Sequence, residues 1–287
     1  MKKTLTTRFA PSPTGLLHLG HGFSALLAYK LAQNNNGRFY LRIEDIDQTR
    51  SRSEFIEEIY QDLKWLGVKW LEPVRIQSEH FADYENHLNI LSKMDLLYPC
   101  FCTRADIKKE IEGAPSAPHG FDGVVYPQIC KKLSLDERLL KQQNGTPYAL
   151  RLDMEKAISL LKEKNAWPLY WQDQVQGKVK ARPEDMGDIV IARKETPTSY
   201  HLAVTIDDHL EGVSHVIRGQ DLFEATHIHR LLQALLGFET PIYHHHALLT
   251  DEDGKRLAKR NSATTLKSLR EKGENPDELV KKLLDNP

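Results

Sequence analysis

Two stretches far apart in the chain have the residue types to handle the phosphates of a nucleotide. The first, RFAPSPTGLLHLGH at residues 8–21, runs from a strand-like segment at 5–10 through Pro11, Pro13 and Gly15. It then enters a helical repeat of apolar residues at Leu16, Leu19, Phe23, Leu26, Leu27 and Leu31. His18 and His21 therefore stand where a helix begins. The unpaired N–H groups and positive dipole end there stabilise a triphosphate, and imidazoles beside them can donate to it. The second stretch, DGKRLAKR at 253–260, places Lys255, Arg256, Lys259 and Arg260 after a Gly254 turn. Cations on a loop suit charge that builds on phosphate only during reaction. Alone, each stretch has an ordinary explanation, a turn or a solvated basic loop. As a pair they predict an ATP clamp in which His18, Gly20 and His21 bind the nucleotide together with the cations of the loop, Lys259 among them, and the same histidines and cations assist the chemistry.

Other residues suit a small zwitterionic ligand. Glu44 lies in RIEDID at 42–47. A carboxylate at the C-terminal end of a strand in a parallel sheet is well placed for an ammonium group, although a strand-end surface charge is an equally ordinary role. Arg8 and Arg218 are the candidates for carboxylates, because a guanidinium presents two parallel donors where lysine presents a point charge. Tyr200, which opens YHLAVTIDD, and Ser12 in APSPTG are either a core aromatic and a turn residue or donors to the ligand.

Cys100, Cys102 and Cys130 could supply three thiolates to a metal, or be buried apolar residues. By chemistry His119, Asp106 and Asp122 all remain open as a fourth ligand. The run His244-His245-His246, with His227 and His229, is read as packing, since successive strand residues point to opposite faces and cannot converge easily on one ion.

The elements that must position these groups alternate. The pattern predicts a strand at 5–10, a helix at 20–33, a strand at Phe39–Ile43, and helices at Glu54–Leu66 and about 80–95. Such alternation argues for a parallel sheet with helices on its faces. Residues 98–130 break the rhythm, holding all the cysteines and the Gly/Pro-rich GAPSAPHGFDG at 113–123. From Asp188 strands are predicted at Ile189–Ala192, His201–Ile206 and His215–Ile217. Helices follow at Leu222–Leu236, 264–272 and 276–284.

The chain has 287 residues, enough for one large domain or a domain with a subdomain. With 40% hydrophobic and 28% charged residues it reads as soluble, and a net charge of −1 means that any RNA must be met by a local basic patch. Three cysteines disfavour a disulfide framework. Without a signal-peptide core or an 18-residue apolar run, a cytoplasmic protein with no membrane span is expected.

From Arg8 to about Arg260 the sequence resembles the class I aminoacyl-tRNA synthetases of the glutamyl group. HLGH stands in the place of their HIGH motif and RLAKR in the place of KMSKS, with Ala258 where serine is usual and Lys259 kept. The resemblance implies an α/β, Rossmann-like catalytic core with a parallel sheet and an inserted zinc-bearing subdomain. The first half of the core would be 1–97. The insert would be 98–187, with the zinc site at 98–130 followed by an acceptor-type insert, and the second half of the core 188–287. It implies ATP with Mg²⁺, Glu44 on the substrate amine, Arg218 on the side-chain carboxylate, and Arg8, Ser12 and Tyr200 as further contacts to L-glutamate. Glutamine would leave a buried guanidinium unpaired, at a cost of about 3–5 kcal/mol.

Within that group the glutamyl-queuosine enzymes resemble this chain further. Their C-x-C followed by Y-x-x-x-C matches Cys100, Cys102, Tyr126 and Cys130, the zinc ligands so implied, here with YPQIC as the second half. They also lack the anticodon-binding domain that full glutamyl-tRNA synthetases carry after the loop. The resemblance thus implies a monomer that activates glutamate and transfers it to the queuosine base of tRNA(Asp). The alternatives are a truncated synthetase that charges a tRNA 3′ end, and a nonenzymatic glutamate or nucleotide sensor.

Overall fold

The N-terminal alternation folds as a parallel sheet. In the computed structural model, which describes residues 4–107, 119–120, 123–249 and 264–285, β1 (Thr6–Phe9), β2 (Arg38–Ile43) and β3 (Leu71–Ile76) pair parallel in that order. They are connected by α1 (Leu19–Asn34) and α2 (Ser53–Trp65), and α3 (Phe81–Lys93) follows β3. β4 (Leu97–Cys100) leads to the cysteine region with its short hairpin β5 (His119–Gly120) and β6 (Gly123–Val124). Then come α4 (Leu135–Gln143), β7 (Ala149–Leu152), α5 (Met154–Glu163), β8 (Tyr170–Asp173), β9 (Gly177–Lys180) and β10 (Val190–Ala192). The remainder is α6 (Tyr200–Leu210), β11 (His215–Gly219), α7 (Ala225–Leu236), β12 (Ile242–His246), α8 (Leu266–Glu271) and α9 (Pro276–Asp285).

A second sheet runs β11, β12, β8, β9, parallel as far as β8 and closed by the antiparallel β9. The two sheets meet at β1 and β11, where the Ser214 N–H donates to Thr6 O at 3.0 Å and the Thr6 N–H to Ser214 Oγ at 2.8 Å. The strand order therefore reverses between β1 and β11. A crevice at the carboxyl ends of the strands is expected there. Strands β8 and β9, inside the stretch assigned by resemblance to the insert, extend this catalytic sheet. The α5 residues Ala157 and Leu161 share one core with Leu202, Ile228 and Leu231.

Two expectations need correction. The segment His201–Ile206 is not a strand but the first part of α6. Ser199 caps that helix, accepting from Leu202 N at 3.4 Å, and Leu202 to Asp208 are all buried. With every side covered, no helical period shows in the sequence, and the β-branched Val204, Thr205 and Ile206 suggest a strand. The strand near Ile189–Ala192 exists, but it does not resume the parallel sheet. It pairs antiparallel with β7, which pairs antiparallel with β4.

Helix α6 is tied to the first sheet by buried charge. Arg42, fully buried on β2, sends Nη2 to Asp208 Oδ1 at 2.6 Å and to the carboxylate of Glu211. Arg8 Nε reaches Asp208 Oδ1 at 2.9 Å, and Arg75 Nε, Gln77 Nε2 and the Tyr84 hydroxyl all donate to Asp207. Long-range pairs of this kind fix the helix against three strands at once. Replacing Arg42 with methionine strands the acids without their main cation, so Arg42→Met is expected to cost about 3–5 kcal/mol in denaturant unfolding; an unchanged midpoint would contradict this role.

Candidate active site

The start of α1 is built from its histidines. His18 is the N-cap, its Nδ1 accepting from Gly20 N at 3.1 Å, while His21 Nδ1 accepts from His18 N at 3.3 Å. The two rings stack with centroids 3.7 Å apart. Since both Nδ1 atoms accept, each neutral ring carries its proton on Nε2, so the helix backbone sets the tautomer that can donate to an anion. Gly20 leaves room for this fold-back: a Cβ there would meet His18 Cε1 at 3.1 Å, and the ring would have to give by a few tenths of an ångström. Ser24, one turn on, contacts His246 Nε2 at 2.7 Å and so links α1 to β12.

The basic loop falls in 250–263, so Lys259, with Gly254, Lys255, Arg256, Ala258 and Arg260, lies outside the described residues. Both flanks meet this place, however. Leu248 and Leu249 line the cleft, Thr265 forms a bridge with His18, and Leu266 N donates to Leu17 O at 2.9 Å. Helix α8 is in turn pinned to α2 by Lys267 and Arg270 on Glu58, each at 2.7 Å.

The cleft holds about 350 Å³, and Arg8, Ser12, His18, Gly20, His21, Glu44, Tyr200 and Arg218 all line it. It sits at the strand-order reversal. A second cavity of about 270 Å³ shares Ser12, Thr14, Glu44 and Tyr200 with it and continues to Asp47, Arg50 and Arg193.

Glu44 follows directly on β2; its buried Oε1 has an ion-pair contact with Arg42 Nη1 at 3.5 Å but accepts no hydrogen bond among the described residues. Burial pushes its carboxyl up to about 7, against the pull of Arg42 and Arg8. A buried acceptor in need of a donor suits an ammonium group. Arg8 lines the same cleft with Nε and Nη2 already on Asp208, at 2.9 and 3.4 Å.

Arg218 is different. Only 5% exposed, it places Nε on His245 Nε2 at 3.1 Å, Nη2 on Thr226 Oγ1 at 2.6 Å, and Nη1 near His229 Nδ1 at 3.3 Å and the Tyr200 hydroxyl at 3.5 Å. None of these partners is a carboxylate. A desolvated cation among neutral acceptors is a site for an anion. Tyr200, brought here by the N-terminal turn of α6, bridges the Glu44 and Arg218 sides.

The three cysteines also converge. Cys102 Sγ lies 3.4 Å from Cys130 Sγ, and the Tyr126 hydroxyl is 3.3 Å from Cys100 Sγ and 3.5 Å from Cys102 Sγ. All three sulfurs fall within 4.8 Å of one another, an arrangement that could hold a metal ion such as zinc. Asp106 turns elsewhere, accepting from Thr103 N at 2.7 Å. Asp122 and the side chain of His119 are outside the described residues. His244, His245 and His246 go to three separate partners, Gln174, Asp173 and Ser24.

Sequence reasoning missed Asp208, Asp173, Thr226 and His245 as parts of the site. A signal for Asp208 existed in YHLAVTIDD, where two acids end a run apolar enough to be buried and so call for buried cations. Asp173 had no such signal.

A crevice at a strand-order reversal, with histidines at a helix start, is the arrangement of a class I synthetase-type core. The family model described as tRNA synthetases class I (E and Q), catalytic domain, matches residues 4–285, and the chain belongs to that family of ligases. It is 45% identical over 284 residues to the glutamyl-Q tRNA(Asp) synthetase of Rhodobacter capsulatus, covering 96% of this chain and 98% of that one. It is 37% identical to the glutamate–tRNA ligase of Aquifex aeolicus over 95% of this chain, which spans 55% of that protein. Among solved structures, a glutamate-tRNA synthetase from Elizabethkingia anophelis superposes with a TM-score of 0.80 at 27% identity, covering 98% of this chain and 61% of that one. Among the described residues no helix is long and apolar enough to cross a membrane.

An ammonium ligand needs Glu44 ionised, and its carboxyl titrates near 7. Affinity for an amino acid should therefore be flat above pH 7 and fall about tenfold per pH unit below it. Binding titrations at several pH values check this, with Glu44→Gln expected to bind weakly at every pH; constant affinity down to pH 5 would exclude Glu44 as the partner.

Proposed function

We propose that this protein activates L-glutamate with ATP and transfers it to the queuosine base in the anticodon of tRNA(Asp). The observation that carries the glutamate assignment is Arg218, a buried guanidinium whose hydrogen-bond partners among the described residues are all neutral groups. The acceptor assignment is supported by the relative named glutamyl-Q tRNA(Asp) synthetase, similar over 98% of its length.

In this reading Glu44 takes the substrate ammonium, Arg218 the side-chain carboxylate, and Arg8, Ser12 and Tyr200 complete the amino-acid pocket. The α-carboxylate attacks the α-phosphorus of ATP and pyrophosphate leaves. His18 and His21 donate through Nε2 to the phosphates beside Gly20, and Lys259 supplies a cation from the segment whose flanks meet α1. Asp221 lines that side of the cleft and would face a Mg²⁺ bound with ATP, whose chemistry there would be to neutralise charge on the phosphates. Positioning and charge stabilisation carry this step, so no protein nucleophile is needed. A hydroxyl of the modified base then attacks the glutamyl carbonyl carbon of the adenylate, its proton is lost, the bond to the phosphate oxygen breaks and AMP leaves. The second cavity, which shares Glu44 and Tyr200 with the first, is the place this reading assigns to the approach of that hydroxyl.

Zinc fits the cysteine cluster. Tetrahedral Zn–S bonds of about 2.3 Å separate two sulfurs by about 3.8 Å, close to the spacing present. Cys100, Cys102, Tyr126 and Cys130 would hold the ion; burial and the contacts with Cys100 and Cys102 push the Tyr126 hydroxyl up, so the charge of the ion itself would have to supply the phenolate. The ion would tie β4 to the 126–130 segment, which lacks a large core. Elemental analysis of freshly purified protein should give about one zinc per chain, and Cys102→Ser should lose both the metal and several degrees of melting temperature. Metal-free wild-type protein would remove the assignment.

The function itself is tested by glutamate-dependent ATP–pyrophosphate exchange, followed by transfer of labelled glutamate to tRNA(Asp) with and without queuosine. Exchange and queuosine-dependent labelling are expected, and Arg218→Gln should abolish exchange. Label on a 3′ end would overturn the acceptor assignment, and no exchange would overturn the activation.

A further inference from the structure

The partners of Arg218 form a directed chain. Asp173, at the end of β8 and buried, has Oδ1 occupied by Val175 N at 2.8 Å and Gln176 N at 3.0 Å. Its Oδ2 is left for His245 Nδ1, at 2.5 Å. A carboxylate only accepts, so the proton in that contact is on Nδ1, and Nε2 of the neutral ring is a bare acceptor. Burial and the neighbouring guanidinium hold the His245 imidazole down to about 4, so the ring is neutral. Its Nε2 faces Arg218 Nε at 3.1 Å and Thr226 Oγ1 at 3.2 Å. His229, also held neutral by burial and by Arg218, stands on the other side.

Arg8 and Arg42 are handled in the opposite way, each directly on a carboxylate. A carboxylate placed directly on Arg218 would cancel its charge and repel an acidic substrate. With an imidazole interposed, the acid still orients the guanidinium but stays one ring further from the ligand.

We propose that Asp173 and His245 are positioning residues that set substrate selectivity: they hold the Arg218 guanidinium through a neutral acceptor, so that its charge remains for the side-chain carboxylate of the substrate. The inference rests on the assignment of Arg218 to that carboxylate. A purely architectural role, joining β8 to β12, makes a different forecast for two substitutions.

Asp173→Asn is nearly isosteric. Its oxygen stays with the N–H groups of Val175 and Gln176, so its NH₂ must face His245 Nδ1. The ring then moves its proton to Nε2 and presents an N–H to the N–H of Arg218. His245→Gln changes the shape more but keeps the polarity, with an NH₂ toward Asp173 and an oxygen toward Arg218. In exchange assays Asp173→Asn should raise the KM for glutamate about tenfold or more with kcat within about threefold, and lower the glutamate-to-glutamine kcat/KM ratio about tenfold. His245→Gln should keep that ratio within about threefold of wild type.

If architecture were the whole role, the bulkier change would do more harm than the isosteric one and selectivity would not move. Either result overturns the proposal. Should Asp173→Asn fail to fold, Thr226→Val removes the acceptor of Arg218 Nη2 and should produce the same KM rise and loss of selectivity. An Arg218→Gln enzyme that still activates glutamate would overturn the assignment of Arg218 and the inference with it. An inactive Arg218→Gln beside an unaltered Asp173→Asn would overturn the inference alone.

Discussion

A positive charge buried with no anionic hydrogen-bond partner among the described residues is the constraint around which this site is arranged. Arg218, one residue before the end of β11, lies in the crevice where the strand order reverses, and its hydrogen-bond neighbours are two imidazoles and two hydroxyls. Desolvating a guanidinium in this way is unfavourable unless something in the functional state completes it. The rest of the site is the complement. Glu44 is a buried carboxylate whose Oε1 meets Arg42 at 3.5 Å but accepts no hydrogen bond among the described residues, Arg8 stands nearby, and the α1 N-terminus offers histidine donors of fixed tautomer. Together they describe a pocket for a ligand with one positive and two negative groups, next to a seat for polyphosphate.

That arrangement depends on elements far from the ligand. The Arg42 network holds α6 against the first sheet and so delivers Tyr200 between Glu44 and Arg218. The same helix returns Asp208 to Arg8, so one element serves both as scaffold and as counterion. On the nucleotide side, α8 is clamped to α2 through Glu58, and the bridge between Thr265 and His18 fixes one end of the basic segment at the histidines. The cysteine cluster does comparable work for the region after β4, where a small core of Tyr98, Cys100, Tyr126 and Cys130 stands apart from the two large ones.

How much of this could be read in the sequence follows from how local each signal is. The strand-to-helix turn at 8–21 and the helices α1 to α3 are written in periodicity and turn residues, and their positions agree with the structure. The site residues were reachable because motif spacing and resemblance mark them individually. The character of α6 was not, since a helix buried on every side has no amphipathic period, and its β-branched residues pull the reading toward a strand. The short strands β7 to β9 were missed for lack of any long pattern. The partners of Arg218 were hidden for another reason: Asp173 and His245 are 72 positions apart, and only the pairing of β8 with β12 makes them neighbours.

The central claim is that the charge of Arg218 selects a side-chain carboxylate, and a direct comparison of L-glutamate with L-glutamine in ATP–pyrophosphate exchange tests it. The two substrates match in size and differ in charge. A buried guanidinium left unpaired by the amide should lower kcat/KM for glutamine by at least about 100-fold. Comparable exchange with both would mean that Arg218 is satisfied without the substrate, and that the pocket reads something other than charge.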